Sequence, residues 1–438
     1  MRVVFALVVC SSLAAAQTPV DSALLRYING IKAIDSHAHP MRPVQPGQPA
    51  DTDFDALPLD GIPPFPVPAR LQGTDAIWHE AQVALFGAPP RPAASESLHK
   101  EGVKAAAIRM LKVEGDNFPP WALDKAGIDI MMANRIMMGP GLAAPRFRWV
   151  VYVDDLMLPL NTELLAAQTP DYKVLYPREE KLLKRHLREL GMDSVPATLR
   201  DYVSRVVIPT LERQHAAGAV AVKFEAAYLR SLEFLDPTER LAANMYETKT
   251  RALSPEVYKI LQDYLFHVIV REAGRLNEAV QIHTLEDFGG YYHASTSTPF
   301  ALEPIFNDST LRKTNFIIVH GGWPFYQQTE AMLGKPNVYA DISMMTLLLP
   351  PAQIAPVLRQ WLTQWPDKVL FGTDAFDGGP EQGWEQAAWV GSTTARRALA
   401  MALTAMLRDG EVTRARAQEL ARMVLRENAI RAYQLDLK

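Results

Sequence analysis

The sequence predicts an α/β fold in which eight parallel strands close into a (β/α)8 barrel. Three observations support this prediction: strand-length apolar segments alternate with helical segments, the strands are continuously apolar, and polar side chains gather where the strands end. Continuous apolar strands are expected when helices cover both faces of a parallel sheet. With 438 residues and 48% apolar content, the chain is long enough to form such a barrel as one domain.

The eight predicted strands begin at residue 32, and helical segments follow most of them. The strands are residues 32–37, 128–136, 147–154, 219–224, 279–283, 315–320, 337–343 and 368–374. An open doubly wound sheet fits the same alternation nearly as well. The choice between the two folds therefore depends on where the polar residues lie.

Helical spacing of apolar residues marks most of the remaining chain. The predicted helical regions are residues 75–86, 95–112, 173–217, 323–333, 350–364, 383–409 and 413–434, with a further helix that begins at Ser254-Pro255. A serine hydroxyl can cap a helix, and a proline ring presets φ for the first turn.

A proline-rich insertion follows the first strand, with nine prolines between Pro40 and Pro68. Such a segment can neither pair in a central sheet nor continue a helix. We expect an irregular segment that crosses one end of the domain. It could act as a lid or simply cover the surface, and the sequence supports the two interpretations equally.

The first sixteen residues have the pattern of a secretory signal peptide. Arg2 is positive, residues 3–9 are apolar, and small residues end at Ala16. The apolar run is far shorter than the ~20 residues that a membrane-spanning helix needs. We therefore expect cleavage near Ala16, a single mature domain over residues 17–438, and export to the periplasm or the medium.

Composition excludes several kinds of site and partner. The charges nearly cancel, with 45 Lys and Arg against 49 Asp and Glu, so neither nucleic acid nor an acidic membrane surface is an expected partner. The expected partner is a small-molecule substrate. Whether the chain forms a homo-oligomer stays an open question. Cys10 is the only cysteine and lies in the signal peptide, which excludes disulfides, thiolate metal sites and a cysteine nucleophile. A metal ion would need N and O ligands.

Candidate functional residues lie at the ends of five predicted strands: His37, His39, Lys223, His283, His320 and Asp374. The carboxyl ends of barrel strands converge on the active site, so this placement favours the barrel. Five other histidines lie in helical stretches and are interpreted as structural: His79, His99, His186, His215 and His267. His293 lies in a loop and has no assigned role.

The first strand ends in a His-Ala-His pattern. Residues i and i+2 of a strand point to the same face, so His37 and His39 could offer two imidazoles to one ion. The pattern is weak by itself, because two histidines can also be hydrogen-bonded core residues. The combination with the other strand ends strengthens the metal interpretation.

Asp374 can bind a cation and accept a proton from an attacking water. Its alternative role is to cap the next helix, which Asp377 could also do. Asp35 and Asp341 are weaker candidates than Asp374. We interpret Asp35, with Ser36, as a strand residue near the ligands that could orient them.

The motifs IDSHAHP, QIHT, IIVHGGWPF and VLFGTDA, with Lys223, resemble those of the amidohydrolase-related metal-dependent hydrolases. Residues 215–380 are also similar to the barrel domain that precedes a glutamine synthetase domain in some nodulin-like proteins. The resemblance implies a distorted TIM barrel over roughly residues 28–435. The proline-rich insertion has no counterpart in it.

This resemblance implies a set of ligands. His37, His39, His283 and Asp374 would bind one or two divalent ions, and His320 would bind a second ion or polarise the substrate. Imidazole and carboxylate ligands suit Zn²⁺, with Mn²⁺ and Fe²⁺ as alternatives.

Lys223 has several interpretations, because an ammonium beside a divalent cation would be repelled. Relatives supply a precedent for a lysine carbamate that bridges two ions. Alternatively, Lys223 stays protonated and pairs with a substrate carboxylate or Glu225, beside a single ion. A third interpretation is a strand-end lysine that reaches out to water.

Tyr228 and Arg230 follow Lys223 closely and could reach over the barrel mouth. Arg230 could bind a substrate carboxylate through its planar donors. Its alternative is an ion pair with Glu233 or Glu225.

Three functions follow from these residues. The first is hydrolysis of an amide, a lactone or a related C–N or C–O bond by metal-activated water. The second is a metal-dependent lyase of the aminocarboxymuconate-semialdehyde decarboxylase type, and the third a binding protein without catalysis. The resemblance implies that the decarboxylases lack a counterpart of Lys223, which favours the hydrolase. A binding protein would not need all six ligand-type residues.

Overall fold

The computed structural model describes residues 20–42, 44, 66–87, 96–248, 253–284, 293–379 and 382–437. Eight parallel strands form one sheet in sequential order, which curls into a nearly closed barrel. The strands are β1 (Ala33–Ala38), β2 (Ile128–Asn134), β3 (Phe147–Tyr152), β4 (Ala219–Phe224), β5 (Ala279–His283), β6 (Phe316–Val319), β7 (Val338–Asp341) and β8 (Val369–Leu370). The predicted α/β barrel is confirmed, because a doubly wound sheet would reverse its strand order.

The first strand also contacts the chain beyond the last strand. Asp374 donates its backbone N–H to the His37 carbonyl over 2.8 Å, and His39 donates to the Ala375 carbonyl over 2.7 Å. The regular part of β8 spans only Val369–Leu370 and is shorter than the predicted strand of residues 368–374. The chain after β8 nevertheless pairs with β1. This pairing places the aspartate next to the two histidines of β1.

The inside of the barrel is a packed apolar core. One cluster of buried side chains takes Ile34 from β1, Met132 from β2, Ile317 from β6 and Leu370 from β8, and also includes Tyr433 near the C-terminus. Such packing leaves no pore through the barrel. The predicted ligands lie toward the strand ends.

The described part of the chain also contains helices α1 to α17. They are α1 (Ser22–Gly30), α2 (Ala76–Phe86), α3 (Glu96–Glu114), α4 (Phe118–Ala126), α5 (Glu163–Gln168), α6 (Tyr176–Glu189), α7 (Leu199–Tyr202), α8 (Ile208–Ala216), α9 (Glu239–Glu247), α10 (Pro255–Arg275), α11 (Glu303–Asn307), α12 (Tyr326–Leu333), α13 (Met345–Leu348), α14 (Pro351–Gln364), α15 (Trp384–Arg408), α16 (Arg414–Arg422) and α17 (Asn428–Ala432). Ser254 caps α10 as predicted, accepting the Val257 N–H.

The long helical region predicted over residues 173–217 is interrupted after α6. Gly191 has a φ of 70°, a left-handed conformation that ends helices. The chain becomes helical again only at α7. Apolar residues have helical spacing on both sides of this turn, so the sequence pattern did not reveal it.

Two predictions fall outside the described residues: the signal peptide over residues 1–16, and most of the proline-rich insertion, residues 43 and 45–65. In the part of the chain that is described, no helix is both long and apolar enough to cross a membrane.

Candidate metal centre

The strand ends bring three of the predicted ligands into direct contact. His37 Nε2 lies 3.1 Å and His39 Nε2 lies 3.2 Å from the Asp374 Oδ1 atom. Within the described ranges, this is the one group of three His, Cys, Asp or Glu residues whose ligand atoms all lie within 4.8 Å of one another. The i and i+2 spacing on β1 thus aims both imidazoles at the same oxygen.

A glutamine of β5 determines which nitrogen of His37 is protonated. The Gln281 Nε2 atom donates to the Ser36 carbonyl over 2.8 Å, so its Oε1 atom faces His37 Nδ1 at 2.9 Å. An amide oxygen only accepts hydrogen bonds, so His37 Nδ1 carries the proton and His37 Nε2 keeps its lone pair. Burial, followed by the charge of Lys223, holds the pKa of His37 well below its usual value, which keeps the ring neutral.

The His37 lone pair therefore faces another acceptor, Asp374 Oδ1. That oxygen is buried and accepts no hydrogen bond within the described part of the chain. Two acceptors 3.1 Å apart repel each other unless a cation lies between them. A proton would satisfy one imidazole, whereas a divalent ion would satisfy both imidazoles and the carboxylate. The donor set thus fits a metal ion.

The outer nitrogen of His39 has its own partner. The Tyr152 hydroxyl, at the end of β3, lies 2.9 Å from His39 Nδ1. A hydroxyl that accepts the Nδ1 proton leaves His39 Nε2 free to bind a cation.

The other two predicted histidines pair with each other. His320 Nε2 lies 3.2 Å from His283 Nδ1, and His320 Nδ1 lies 3.8 Å from Asp374 Oδ2. Both rings border the group formed by His37, His39 and Asp374, but they contact the second carboxylate oxygen or each other. Burial lowers the pKa of His320 to about 3 and that of His283 well below its usual value, so both rings are neutral.

Lys223 is fully buried and forms an ion pair. Its Nζ lies 2.6 Å from Glu225 Oε1, while the other Glu225 oxygen lies 3.5 Å from His283 Nδ1. The distance from Lys223 Nζ to His37 Nε2 is 3.5 Å, too long for a strong hydrogen bond. Asp154 fixes the backbone of Glu225 by accepting its N–H over 2.7 Å. Of the partners expected for Lys223, the structure provides Glu225.

Tyr228 lies next to the predicted ligands. Its ring centroid is 4.6 Å from that of His283, so it forms one wall of the site. Another tyrosine, Tyr172, packs against its other side with centroids 5.3 Å apart. The structure thus places Tyr228 beside His283, and its contact with substrate stays a prediction.

The side chain of Arg230 binds other groups of the protein. It pairs with Asp263 over 2.6 Å and donates to the Gln262 side chain and to the carbonyls of Ser231 and Glu233. These bonds use four of its five N–H groups. Neither Glu233 nor Glu225 is its carboxylate partner. Substrate binding by Arg230 stays a prediction.

Sequence reasoning missed Gln281, Tyr152 and Ser343, which contact the rings of three predicted ligands. Gln281 interrupts the otherwise apolar strand AVQIH, which is a signal that could have been used. Tyr152 and Ser343 give no such signal, because a tyrosine or serine at a strand end is common. Their roles depend on which strands become neighbours when the barrel closes.

Comparison with solved structures supports the fold. The chain resembles a protein from Lactobacillus casei described as a metal-dependent hydrolase, with 14% identity, a TM-score of 0.57 and coverage of 94% of this chain and 97% of that one. A uronate isomerase from Thermotoga maritima gives 12% identity, a TM-score of 0.60 and coverage of 95% and 98%. A glucuronate isomerase from Caulobacter crescentus gives 12% identity, a TM-score of 0.59 and coverage of 95% and 94%. At these identities the likeness concerns the fold alone.

Comparison by sequence is more specific. No curated protein sequence matches the chain. The family model described as Amidohydrolase matches residues 209–435, slightly more than half of the chain, from α8 to the end of the barrel. This range contains four of the six predicted ligand positions. The other two, His37 and His39, lie at the end of β1, which pairs with the chain that follows β8. The chain belongs to the amidohydrolase family.

Proposed function

We propose that the protein is a hydrolase that uses one divalent metal ion to activate water against an amide, a lactone or a related C–N or C–O bond of a small substrate. One observation carries this proposal: a buried carboxylate oxygen that accepts no hydrogen bond from the described residues faces two imidazole nitrogens. Membership of the amidohydrolase family supports metal-dependent hydrolysis in general. The bond and the substrate are our inference.

The ion would be held by His37 Nε2, His39 Nε2 and Asp374 Oδ1, a group that His283 and His320 border. Neutral imidazoles and a carboxylate suit Zn²⁺, and Mn²⁺ or Fe²⁺ are the alternatives.

The charges around the site also favour a dication. Asp35 and Asp341 are fully buried beside the ligands. Burial raises the pKa of Asp35 to about 7 and that of Asp341 to about 6. Raised pKa values leave Asp35 and Asp341 partly protonated near neutral pH, and a bound cation would favour their ionised forms.

When bound, the ion would lower the pKa of a water ligand toward 7 and polarise the scissile carbonyl. The protein groups then have separate tasks. Asp374 Oδ1 would face the ion, which leaves Oδ2 to accept a proton and pass it to the leaving group. The Lys223 ammonium would stabilise negative charge that develops on the substrate oxygen. Tyr228 would form the wall against which the substrate lies.

The ion pair between Lys223 and Glu225 leads us to propose an ammonium at this position and a single ion. A carbamate would place a second negative group about where Glu225 already lies, 2.6 Å from Nζ. The ammonium is compatible with a nearby ion because Glu225 offsets its charge.

The experiment is a substrate screen of the purified chain, before and after removal of metal with a chelator. The panel contains amides, esters, lactones, aromatic carboxylic acids and hexuronic acids. We expect hydrolysis of at least one amide, ester or lactone, loss of that activity after chelation, and its return with Zn²⁺, Mn²⁺ or Fe²⁺. Metal-dependent release of CO₂ without hydrolysis would favour the lyase. Conversion of uronic acids would indicate an isomerase. Either result would overturn the proposed reaction.

A further inference from the structure

The two candidate ligands beyond β6 and β8 share an unusual backbone. His320 has a φ of 64° and Asp374 has a φ of 57°. Both values lie in the left-handed region, which costs energy for any residue with a Cβ atom. Such conformations persist where neighbouring groups hold them in place. In both cases the neighbouring group is a buried carboxylate.

Asp341, at the end of β7, holds the turn that carries His320. Its Oδ1 atom accepts the backbone N–H of His320 over 2.9 Å and the backbone N–H of Ser343 over 2.9 Å. The Ser343 hydroxyl also donates to this oxygen, so the hydroxyl oxygen must accept the Nδ1 proton of His320, 2.9 Å away. One carboxylate therefore controls both the backbone and the ring of His320.

Asp35, on β1, holds the turn that carries Asp374. Its Oδ1 atom accepts the Thr373 backbone N–H over 2.9 Å, and its Oδ2 atom accepts the Thr373 hydroxyl over 2.5 Å. Thr373 directly precedes Asp374 in the chain. Asp35 also accepts the His37 N–H over 3.3 Å, so it connects a ligand of β1 to the turn beyond β8.

We propose that Asp341 and Asp35 are positioning residues: their carboxylates hold His320 and Asp374 in the left-handed conformations that aim both side chains into the metal centre. Asp341 needs one acceptor oxygen, Oδ1, for its hydrogen bonds to His320 and Ser343. Asp35 uses Oδ1 for two backbone N–H groups and Oδ2 for the Thr373 hydroxyl, which can also accept from an amide N–H. This inference rests on the proposed function, because it assumes an ion at the site. Groups that orient metal ligands in this way typically change metal affinity by about 10- to 100-fold when they are removed.

The test measures the affinity of the full mature chain for Co²⁺ by competition with a chelating dye, together with the visible spectrum of the Co²⁺ form. The variants are Asp341→Ala and Asp341→Asn, with Asp35→Ala and Asp35→Asn as a second pair. Asparagine keeps an acceptor oxygen but removes the charge. The control is Glu278→Ala, which removes a buried carboxylate just before β5, at the opposite end of that strand from His283.

We expect each alanine variant to bind Co²⁺ at least about tenfold more weakly and to shift its spectrum. Each asparagine variant should recover most of the affinity, and Glu278→Ala should match the wild type. Unchanged affinity in the alanine variants, or asparagine variants as weak as alanine, would overturn the positioning role alone. If one alanine variant does not fold, the other pair decides by the same criteria. A wild-type chain that binds no Co²⁺ would overturn the metal centre and this inference together.

Discussion

Replacing Asp374 by asparagine is expected to lower turnover at least about a thousandfold, because one side chain serves as anionic ligand and as proton acceptor. The amide keeps the shape of the carboxylate but cannot take a proton and binds a cation poorly. Steady-state kinetics on the substrate found in the screen, with metal analysis of the same sample, would measure both losses.

The control for this change is Asp377→Asn, three residues away and exposed. It changes the same segment and alters the net charge by the same amount as Asp374→Asn. Because Asp377 is not a predicted ligand, its replacement should leave turnover within about twofold of the wild type. Full activity in Asp374→Asn would contradict the assignment of Asp374 as ligand and proton acceptor.

Replacing Glu225 by glutamine is expected to destabilise the protein by about 3–5 kcal/mol, because the buried Lys223 ammonium would lose its counter-charge. Both side chains are almost fully buried, so water cannot take the place of the lost partner. The double variant Lys223→Met/Glu225→Gln should regain most of the stability, since no unpaired charge remains. Urea unfolding of the purified chains in bicarbonate buffer would give the free energies.

The same experiment separates an ammonium from a carbamate. A carbamate is an anion, so removing Glu225 beside it would relieve repulsion and leave stability unchanged or higher. Metal stoichiometry in bicarbonate gives an independent control. One equivalent in both the wild type and Lys223→Ala fits the ammonium, whereas two equivalents falling to one would establish the carbamate and contradict our proposal.

The barrel could be predicted from the sequence because each strand is a short apolar run that ends in polar residues. Physical reasoning located His37, His39, His283 and His320 at strand ends, and barrel geometry then requires those ends to converge. Asp374 was found in the same way, although it lies beyond the regular part of β8.

The orienting contacts could not be predicted, because they join residues far apart in the chain. Gln281 reaches His37 across 244 positions, and the side chain of Asp35 reaches Thr373 across 338. Such pairs depend on the register of neighbouring strands, which the apolar pattern does not specify. Arg230 is a similar case, since its partner Asp263 lies on α10. Its sequence neighbours suggested a different ion pair.

The metal content of the purified chain tests the central claim most directly. Protein prepared without chelators would be analysed for all transition metals, beside the same preparation of a His37→Ala/His39→Ala variant. We predict about one equivalent of a divalent transition metal, most of it zinc, in the wild type and a large loss in the variant. Less than about half an equivalent in the wild type, or the same content in both proteins, would contradict a metal centre formed by His37, His39 and Asp374.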